Sequence, residues 1–442
     1  MQHSEKHPSC ADEPNDTDAG ALGRRGFLRL AGLGGAAPLL AWPDSRASAA
    51  PVRPGRYAGP AQGGVYERMF GIPTIINAAG PVTALGGTTL SEAVTDAMAA
   101  ASRDYVDLNE LYTAAGERLA QITKSQAAMV TSGAFAAMTL AAAACLAGDD
   151  PAKIAALPHP TWPRREVIVQ RAHSTAYEQA YRDAGMTVVY VDAEDELRAA
   201  IGDRTAMIAG LINTEKMDVP GIIPLRQLVA IGKKAGVPVC FDASFSVTHS
   251  SPPSSLWRYT QLGADLVCIS GGKGIHGPQA SGILAGRADL IASARKQGSP
   301  NPAGLGRGMK VDKEVVVGLV AAVEQFLTRD AEALQRRDRD RLQTMRRIVS
   351  DIPGVRLDHD DVYFGPGLVL TWNQADLPLS YGDFVKQMHA GKRPISVLIA
   401  SGPTAYFGKV NGPALYPGYL NDGEDVIVAK RAREILLAAR RG

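Results

Sequence analysis

Five short apolar runs alternate with helical periods between residues 166 and 270, and this alternation narrows the possible folds more than any other feature. Strands are predicted at Val167 to Val169, Thr187 to Val191, Ala206 to Leu211, Val237 to Phe241 and Asp265 to Ile269. Helices are predicted between them, at Ser174 to Ala184, Glu194 to Ile201, Leu225 to Lys234 and Ser254 to Leu262. Runs of three to six residues, joined by helices, make an α/β domain whose sheet is mostly parallel and covered on both faces. Ligands of such sheets collect beyond the carboxyl ends of the strands.

Two of these strand ends carry unusual residues. Val237-Pro238-Val239-Cys240-Phe241 ends in Asp242, and Asp265 to Ile269 runs into Ser270-Gly271-Gly272-Lys273-Gly274. Lysine is rarely buried without a partner, and glycines on both sides let another group approach the backbone closely. Taken singly, Lys273 could be an exposed turn residue and Asp242 a helix cap. Together, with one helix between them, they point to pyridoxal phosphate (PLP). Lys273 would hold the cofactor aldehyde as a Schiff base, and Asp242 would keep the pyridine nitrogen protonated. Thr131-Ser132-Gly133-Ala134 precedes an Ala-rich helix expected to run through Ala147, and its backbone N–H groups and hydroxyl suit a phosphate as well as a plain helix cap. His173 ends another strand, where a flat ring would stack on a cofactor or simply be structural.

The remaining chain frames this domain. Ser91 is placed to cap a helix reaching about Arg103, and Asp150 to Arg165, with four prolines, reads as a loop. A long helical stretch, Asp312 to Val349, is expected to bridge to a smaller α+β domain ending in a helix over Glu424 to Arg440. Its charges alternate in sign from Arg329 to Arg347, as on a solvated face. The expected division is a signal at 1–49, a flexible lead-in at 50–65, a large domain at 66–325 and a small domain with its bridging helix at 326–442.

The amino terminus reads as an address. Arg24-Arg25-Gly26-Phe27-Leu28 is followed by an uncharged apolar stretch, Leu30 to Pro43, and a small-x-small site at Ala47-Ser48-Ala49. This is the pattern of a Tat export signal, cleaved near Ala49, and it implies engagement of the Tat translocase and a periplasmic mature protein. The net charge of +2 over 442 residues gives no nucleic-acid footprint. Cys10, Cys145, Cys240 and Cys268 form no CxxC pair, so no zinc site is expected; the last two read as small core residues.

Several segments in order resemble one family. They are Ile76 to Gly80, Tyr105 to Leu111, Val130 to Ala134, Gln170 to His173, Asp242-Ala243, Ser270 to Gly274 with Gly277-Pro278-Gln279, Gly306 to Val311 and, more weakly, Gly423 to Asp425. They are similar to fold-type I PLP enzymes related to bacterial selenocysteine synthase (L-seryl-tRNA selenium transferase), and within that group to the D-glucosaminate-6-phosphate ammonia-lyase branch. The resemblance implies a seven-stranded, mostly parallel sheet in the large domain, a smaller C-terminal domain and a homodimer or larger assembly with sites at subunit boundaries. It implies PLP held by Lys273, with Asp242 at the pyridine nitrogen, Ser132, Gly133, Ala134 and Ser270 around the phosphate, and His173 on the ring. Arg307, Gln279 and Glu110 are implied on the substrate side.

The implied activity is a lyase on an amino acid or amino-sugar acid. Lys273 removes the α-proton, a β-substituent leaves, and ammonia and a 2-keto acid follow. Racemisation, aldol cleavage and transamination share the same start. Selenium transfer to seryl-tRNA fits poorly with a near-neutral, exported chain. Ser270-Gly271-Gly272-Lys273 also spells the S-x-x-K of a serine hydrolase, but two central glycines oppose the helix that motif needs, and neither Lys-Thr-Gly nor Lys-Ser-Gly occurs. Gly274 in place of Ser or Thr excludes a Walker A loop.

Overall fold

The structure is a computed structural model that describes residues 64–212, 220–360, 364–400 and 412–441. The expected export signal at 1–49 and the stretch 213–219 lie outside the described residues, whose first element is a helix at Val65–Phe70.

The strands, in chain order, are β1 (Ile76–Asn77), β2 (Ala127–Thr131), β3 (Glu166–Gln170), β4 (Thr187–Val191), β5 (Thr205–Leu211), β6 (Val239–Asp242), β7 (Leu266–Ser270), β8 (Gly282–Gly286), β9 (Val355–Asp360), β10 (Gly367–Trp372), β11 (Ile395–Ser396), β12 (Leu398–Ala400) and β13 (Gly412–Leu415). Seven of them form the central sheet in the order β2-β8-β7-β6-β5-β3-β4. The five strands expected from sequence are its parallel part. β8 runs antiparallel to both of its neighbours, β2 and β7.

Every residue of β5 and β6 is buried. Alternate residues feed two cores: Ile208, Phe241 and Val267 pack on one face, Met207, Cys240 and Cys268 on the other. A parallel sheet needs both faces covered, so its strands read as continuous apolar runs. Cys240 and Cys268 are free thiols whose sulfurs lie 3.8 Å apart across β6 and β7. A third core, with Phe384, Met345 and Trp372, is built around the antiparallel order β12-β13-β10-β9.

Three local expectations are revised. Asp150 to Arg165 contains a helix, Pro151–Ala156, because Pro151 takes its first position and the Asp150 carboxylate accepts from the Ala152 and Lys153 amides at 2.9 and 3.3 Å. Proline at a first helical position starts a helix and does not break one. The segment after His173 is one 3-10 turn, Ala176–Glu178, and a short helix, Gln179–Asp183, in place of one helix. The stretch Asp312 to Val349 is two helices, Lys313–Thr328 and Ala331–Val349. Arg329 is extended at the break, and Asp330 caps the second helix by accepting from the Ala333 amide at 2.8 Å.

That cap defines the junction, so Asp330→Ala is expected to cost about 1 kcal/mol of stability. Urea unfolding followed by tryptophan fluorescence measures it; an unchanged midpoint would mean that the cap does not hold the break.

Candidate active site

The carboxyl ends of β2, β3, β6 and β7 lie at one edge of the central sheet. β6 and β7 are parallel, with Asp242 beside Cys268, and both Ser270 and Thr131 pair with Gly282 at the start of β8. Residues 111 positions apart in the chain, Thr131 and Asp242, are thereby brought to the same rim.

Lys273 follows β7 on a turn with no spare room. A Cβ at Gly271 would fall 2.1 Å from Ser281 Oγ, one at Gly272 2.6 Å from Gln279 Cα, and one at Gly274 2.3 Å from the Thr248 carbonyl carbon. The glycines therefore serve packing here: each is a point where another backbone or a short side chain presses against the turn. The turn is closed by the His276 amide donating to the Lys273 carbonyl and the Gly277 amide donating to the Gly271 carbonyl, both at 2.9 Å. Thr88 Oγ1 lies 3.3 Å from the Lys273 carbonyl oxygen on the opposite side.

The Lys273 amine lies 3.3 Å from the centre of the Phe245 ring. Among the described residues no ion pair joins it to a carboxylate. Burial lowers its pKa to about 8, against the pull of Asp242, which raises it. With a pKa near 8, the amine is free of its proton at neutral pH far more often than an ordinary lysine, which readies it as a nucleophile or base.

Asp242 is 4% exposed and ends β6. One of its oxygens accepts from the Ser244 amide at 2.9 Å. His173, also buried, lines the same small cavity as Asp242, together with Glu178 and Tyr181. His173 Nδ1 accepts from the Leu211 amide at 3.0 Å, while Nε2 lies 3.3 Å from the Ile223 carbonyl and donates to it. Nδ1 also lies 3.1 Å from the Leu211 carbonyl oxygen; burial lowers the pKa of the ring, and both nitrogens are spent on backbone, leaving only its faces available.

The helix Ala134–Ala147 starts at Gly133, which has φ 98° and no side chain capping the first turn. Thr131 Oγ1 turns back onto the Gly133 carbonyl at 2.9 Å, and open space lies over Gly133. Ser132, Gly133 and Ala134 are half-buried at this end, and so is Ser270. Uncapped first-turn N–H groups facing open space are an anion site in waiting.

Of the three substrate-side candidates, Gln279 meets the lysine turn with its backbone at Gly272, while its side chain points to another partner. Gln279 is exposed and its amide donates to the Thr83 carbonyl at 2.9 Å. Arg307 is exposed, and Glu110 lies exposed in the first turn of the helix Leu108–Thr123. Among the described residues no contact links these two to Lys273 or Asp242. Sequence reasoning passed over Phe245, whose only signal is its place three residues after Asp242. Phe245 also bounds a cleft of about 670 Å³ whose other walls include Ser246, Gln335, Arg339, Arg346 and His359.

The sequence matches the family described as L-seryl-tRNA selenium transferase over residues 75–356. It is 34% identical to the 5'-C-glycyluridine monooxygenase-decarboxylase of a Streptomyces species, over 84% of this chain and 92% of that one. It is 26% identical to the D-glucosaminate-6-phosphate ammonia lyase of Salmonella typhimurium, over 84% of this chain and 97% of that one. A solved ammonia-lyase of that name superposes with a TM-score of 0.70 at 25% identity, covering 86% of this chain and all of the other. A serine palmitoyltransferase solved with PLP shares the fold at 15% identity, with a TM-score of 0.55 over 83% of this chain and 88% of that one. The fold is that of PLP-dependent fold type I.

Asp242 opposes the effect of burial on Lys273, so Asp242→Asn is expected to bring the lysine's pKa below about 8. The pH profile of Lys273 labelling by an amine-directed reagent, read by mass spectrometry on the cofactor-free protein, tests this. A midpoint that stays put or rises would mean that the amine does not sense the carboxylate.

Proposed function

The chain belongs to the L-seryl-tRNA selenium transferase family, and on that footing we propose that it is a PLP-dependent lyase acting on an amino acid or amino-sugar acid. The observation that carries this reading is the Lys273 amine, buried to a pKa of about 8 at the strand edge that also carries Asp242.

The residues present suit the cofactor at three points. Lys273 takes the aldehyde carbon, Asp242 takes the ring nitrogen, and the uncapped helix start at Ser132, Gly133 and Ala134 takes the phosphate, with Ser270 beside it. Bound there, PLP supplies an electron sink for bonds at the substrate α-carbon. The buried Asp242 carboxylate keeps the ring nitrogen protonated, which makes that sink effective. The His173 ring, held by two backbone bonds, offers a rigid face.

With cofactor and substrate bound, the Lys273 amine would be free to take the proton from the α-carbon. For a β-hydroxy substrate the hydroxyl leaves as water, and water then replaces the nitrogen. The net products are ammonia and a 2-keto acid. Arg339 and Arg346, on the cleft that Phe245 bounds, suit an anionic substrate.

A second reading is favoured by the 34% identity to a monooxygenase-decarboxylase. In it, the α-carboxylate of a glycyl-like substrate leaves as carbon dioxide and dioxygen is the oxidant. The two differ in the bond broken at the α-carbon: Lys273 and Asp242 hold the cofactor in both, while removal of the α-proton by Lys273 starts only the first.

We also propose an assembly of identical chains. Phe135, beside the phosphate loop, and Tyr177 and Tyr105 are large exposed aromatics; Tyr105 is fully exposed. A second copy is the natural cover for apolar surface this close to a site. Export through Arg24-Arg25 and cleavage near Ala49 complete the reading, tested by fractionation and amino-terminal sequencing of the mature chain.

The purified mature chain is expected to take up PLP and show a yellow band that borohydride bleaches, absent in Lys273→Ala. Lys273→Ala should lose at least about a thousandfold in turnover, since it removes both the cofactor tether and the base. A screen of amino acids and amino-sugar acids, following ammonia without oxygen and carbon dioxide with it, separates the two readings. A protein that stays colourless with added PLP defeats both.

A further inference from the structure

Beneath the Lys273 turn the chain buries charge for which the reading above has no use. Arg329 lies in the two-residue break between the helices Lys313–Thr328 and Ala331–Val349. Its guanidinium is spread over the Phe326 ring at 3.7 Å. Nη1 donates to the Gly274 carbonyl at 2.8 Å and Nη2 to the Thr248 carbonyl at 2.9 Å. Gly274 adjoins Lys273, and Thr248 lies on the loop that leaves Asp242. The two loops touch, because a Cβ at Gly274 would fall 2.3 Å from the Val247 carbonyl oxygen.

One planar cation thus bonds the Lys273 turn and the Asp242 loop at once. Only a fork with fixed donors reaches two carbonyls in this way; an ammonium on a flexible stem reaches one. Holding a charge this deep is costly. Burial lowers the pKa of Arg329 to about 9, and its Nε has no hydrogen-bond partner. A surface loop contact would not need that expense. The groups around it are themselves packed: the rings of His249, His276 and Tyr419 lie 5.5 to 6.3 Å apart, and Asp338 lies 2.5 Å from His249 Nε2. Arg337 and Arg341 also face this cluster. His276 is left-handed, with φ 61°, a conformation that a non-glycine residue keeps only when its surroundings impose it.

We propose that Arg329 is a positioning residue: by bridging the Gly274 and Thr248 carbonyls it fixes the Lys273 amine relative to Asp242. This rests on the reading of Lys273 as the residue that holds PLP. No sequence motif marks Arg329; its assignment comes from the two bonds it makes.

The test compares Arg329→Met, Arg329→Lys and Asp330→Ala in the mature chain with added PLP. Asp330→Ala loosens the same helix junction without touching the Lys273 turn, and is expected to lower stability while leaving PLP affinity and the pH midpoint of the yellow band unchanged. Arg329→Met is expected to weaken PLP binding by about tenfold or more, as loss of a charged hydrogen-bonding group does, and to move that midpoint. Arg329→Lys should recover part of both. Affinity within twofold of the parent, with the same midpoint, in Arg329→Met overturns the proposal; if that variant does not fold, the same result in Arg329→Lys overturns it. If parent and variants alike stay colourless, it is the cofactor reading that fails. The clamp is then decided on the cofactor-free protein by the pH midpoint of Lys273 labelling, which should move in Arg329→Met and not in Asp330→Ala; equal midpoints overturn it.

Discussion

Everything at this site depends on backbone brought into contact with backbone around one lysine. The turn from Ser270 to Gly274 meets the segment Gln279 to Ser281 on one side, the Val247-Thr248 loop on another and Gly87, where a Cβ would fall 2.4 Å from the Gly272 carbonyl oxygen, on a third. Any side chain larger than hydrogen at Gly271, Gly272 or Gly274 would force these segments apart. The packing has a chemical result. The crowded turn sets Lys273, itself half-buried, with its amine against the Phe245 ring, and burial there depresses its pKa. Steric exclusion around the glycines and activation of Lys273 are one arrangement seen at two scales.

The central sheet provides the rest by geometry alone. Parallel strands bring their carboxyl ends to one rim, so a residue just past each strand becomes a neighbour of residues far away in the chain. Asp242, Ser270 and the loop after Thr131 arrive there for that reason. β8 has a less obvious part. It runs antiparallel between β2 and β7, and Gly282 faces both Thr131 and Ser270. Its missing side chain lets the Gly133 backbone come down on it; a Cβ there would lie 2.6 Å from the Gly133 carbonyl carbon. The uncapped helix start and the lysine turn are held at a fixed spacing by one small strand.

Legibility in the sequence followed periodicity. Four of the five parallel strands stand out because burial on both faces makes them continuous apolar runs; β4, half-exposed at the sheet edge, stands out by its β-branched and aromatic residues. β2 and β8 were not read as strands: Gly282-Ile283-Leu284-Ala285-Gly286 has glycine at both ends, and Ala127 to Thr131 merges with the Ala-rich helix that follows it. The break at Arg329-Asp330 was invisible because neither glycine nor proline marks it; an aspartate cap and an extended arginine do the work. Within the site, Lys273 and Asp242 were readable because charge at the end of an apolar strand needs a reason. Phe245 and Arg329 were not, since an aromatic and an arginine acquire their meaning from a ring face and two carbonyls that no local pattern encodes. Arg307, Gln279 and Glu110 came from likeness to relatives, and a single chain gives them no contact with Lys273.

The relatives differ in the bond they break, and the structure offers a reason why one scaffold serves several outcomes. The groups that hold PLP in the proposed reading, Lys273, Asp242 and the helix start after Ser132, all sit on rigid elements at the sheet rim. The groups that line the neighbouring cleft, Arg339, Arg346 and His359, belong to the helix Ala331–Val349 and to β9. Substitutions there leave the rim untouched. The two sets meet at Phe245, whose ring takes the Lys273 amine and also walls the cleft. An apolar ring at that junction neither accepts nor donates a proton. In the proposed reading, proton movement at the α-carbon therefore falls to the Lys273 amine, and which bond lies in line with it is set by how the cleft orients the substrate, so that chemistry and specificity become separable properties that meet at one phenylalanine.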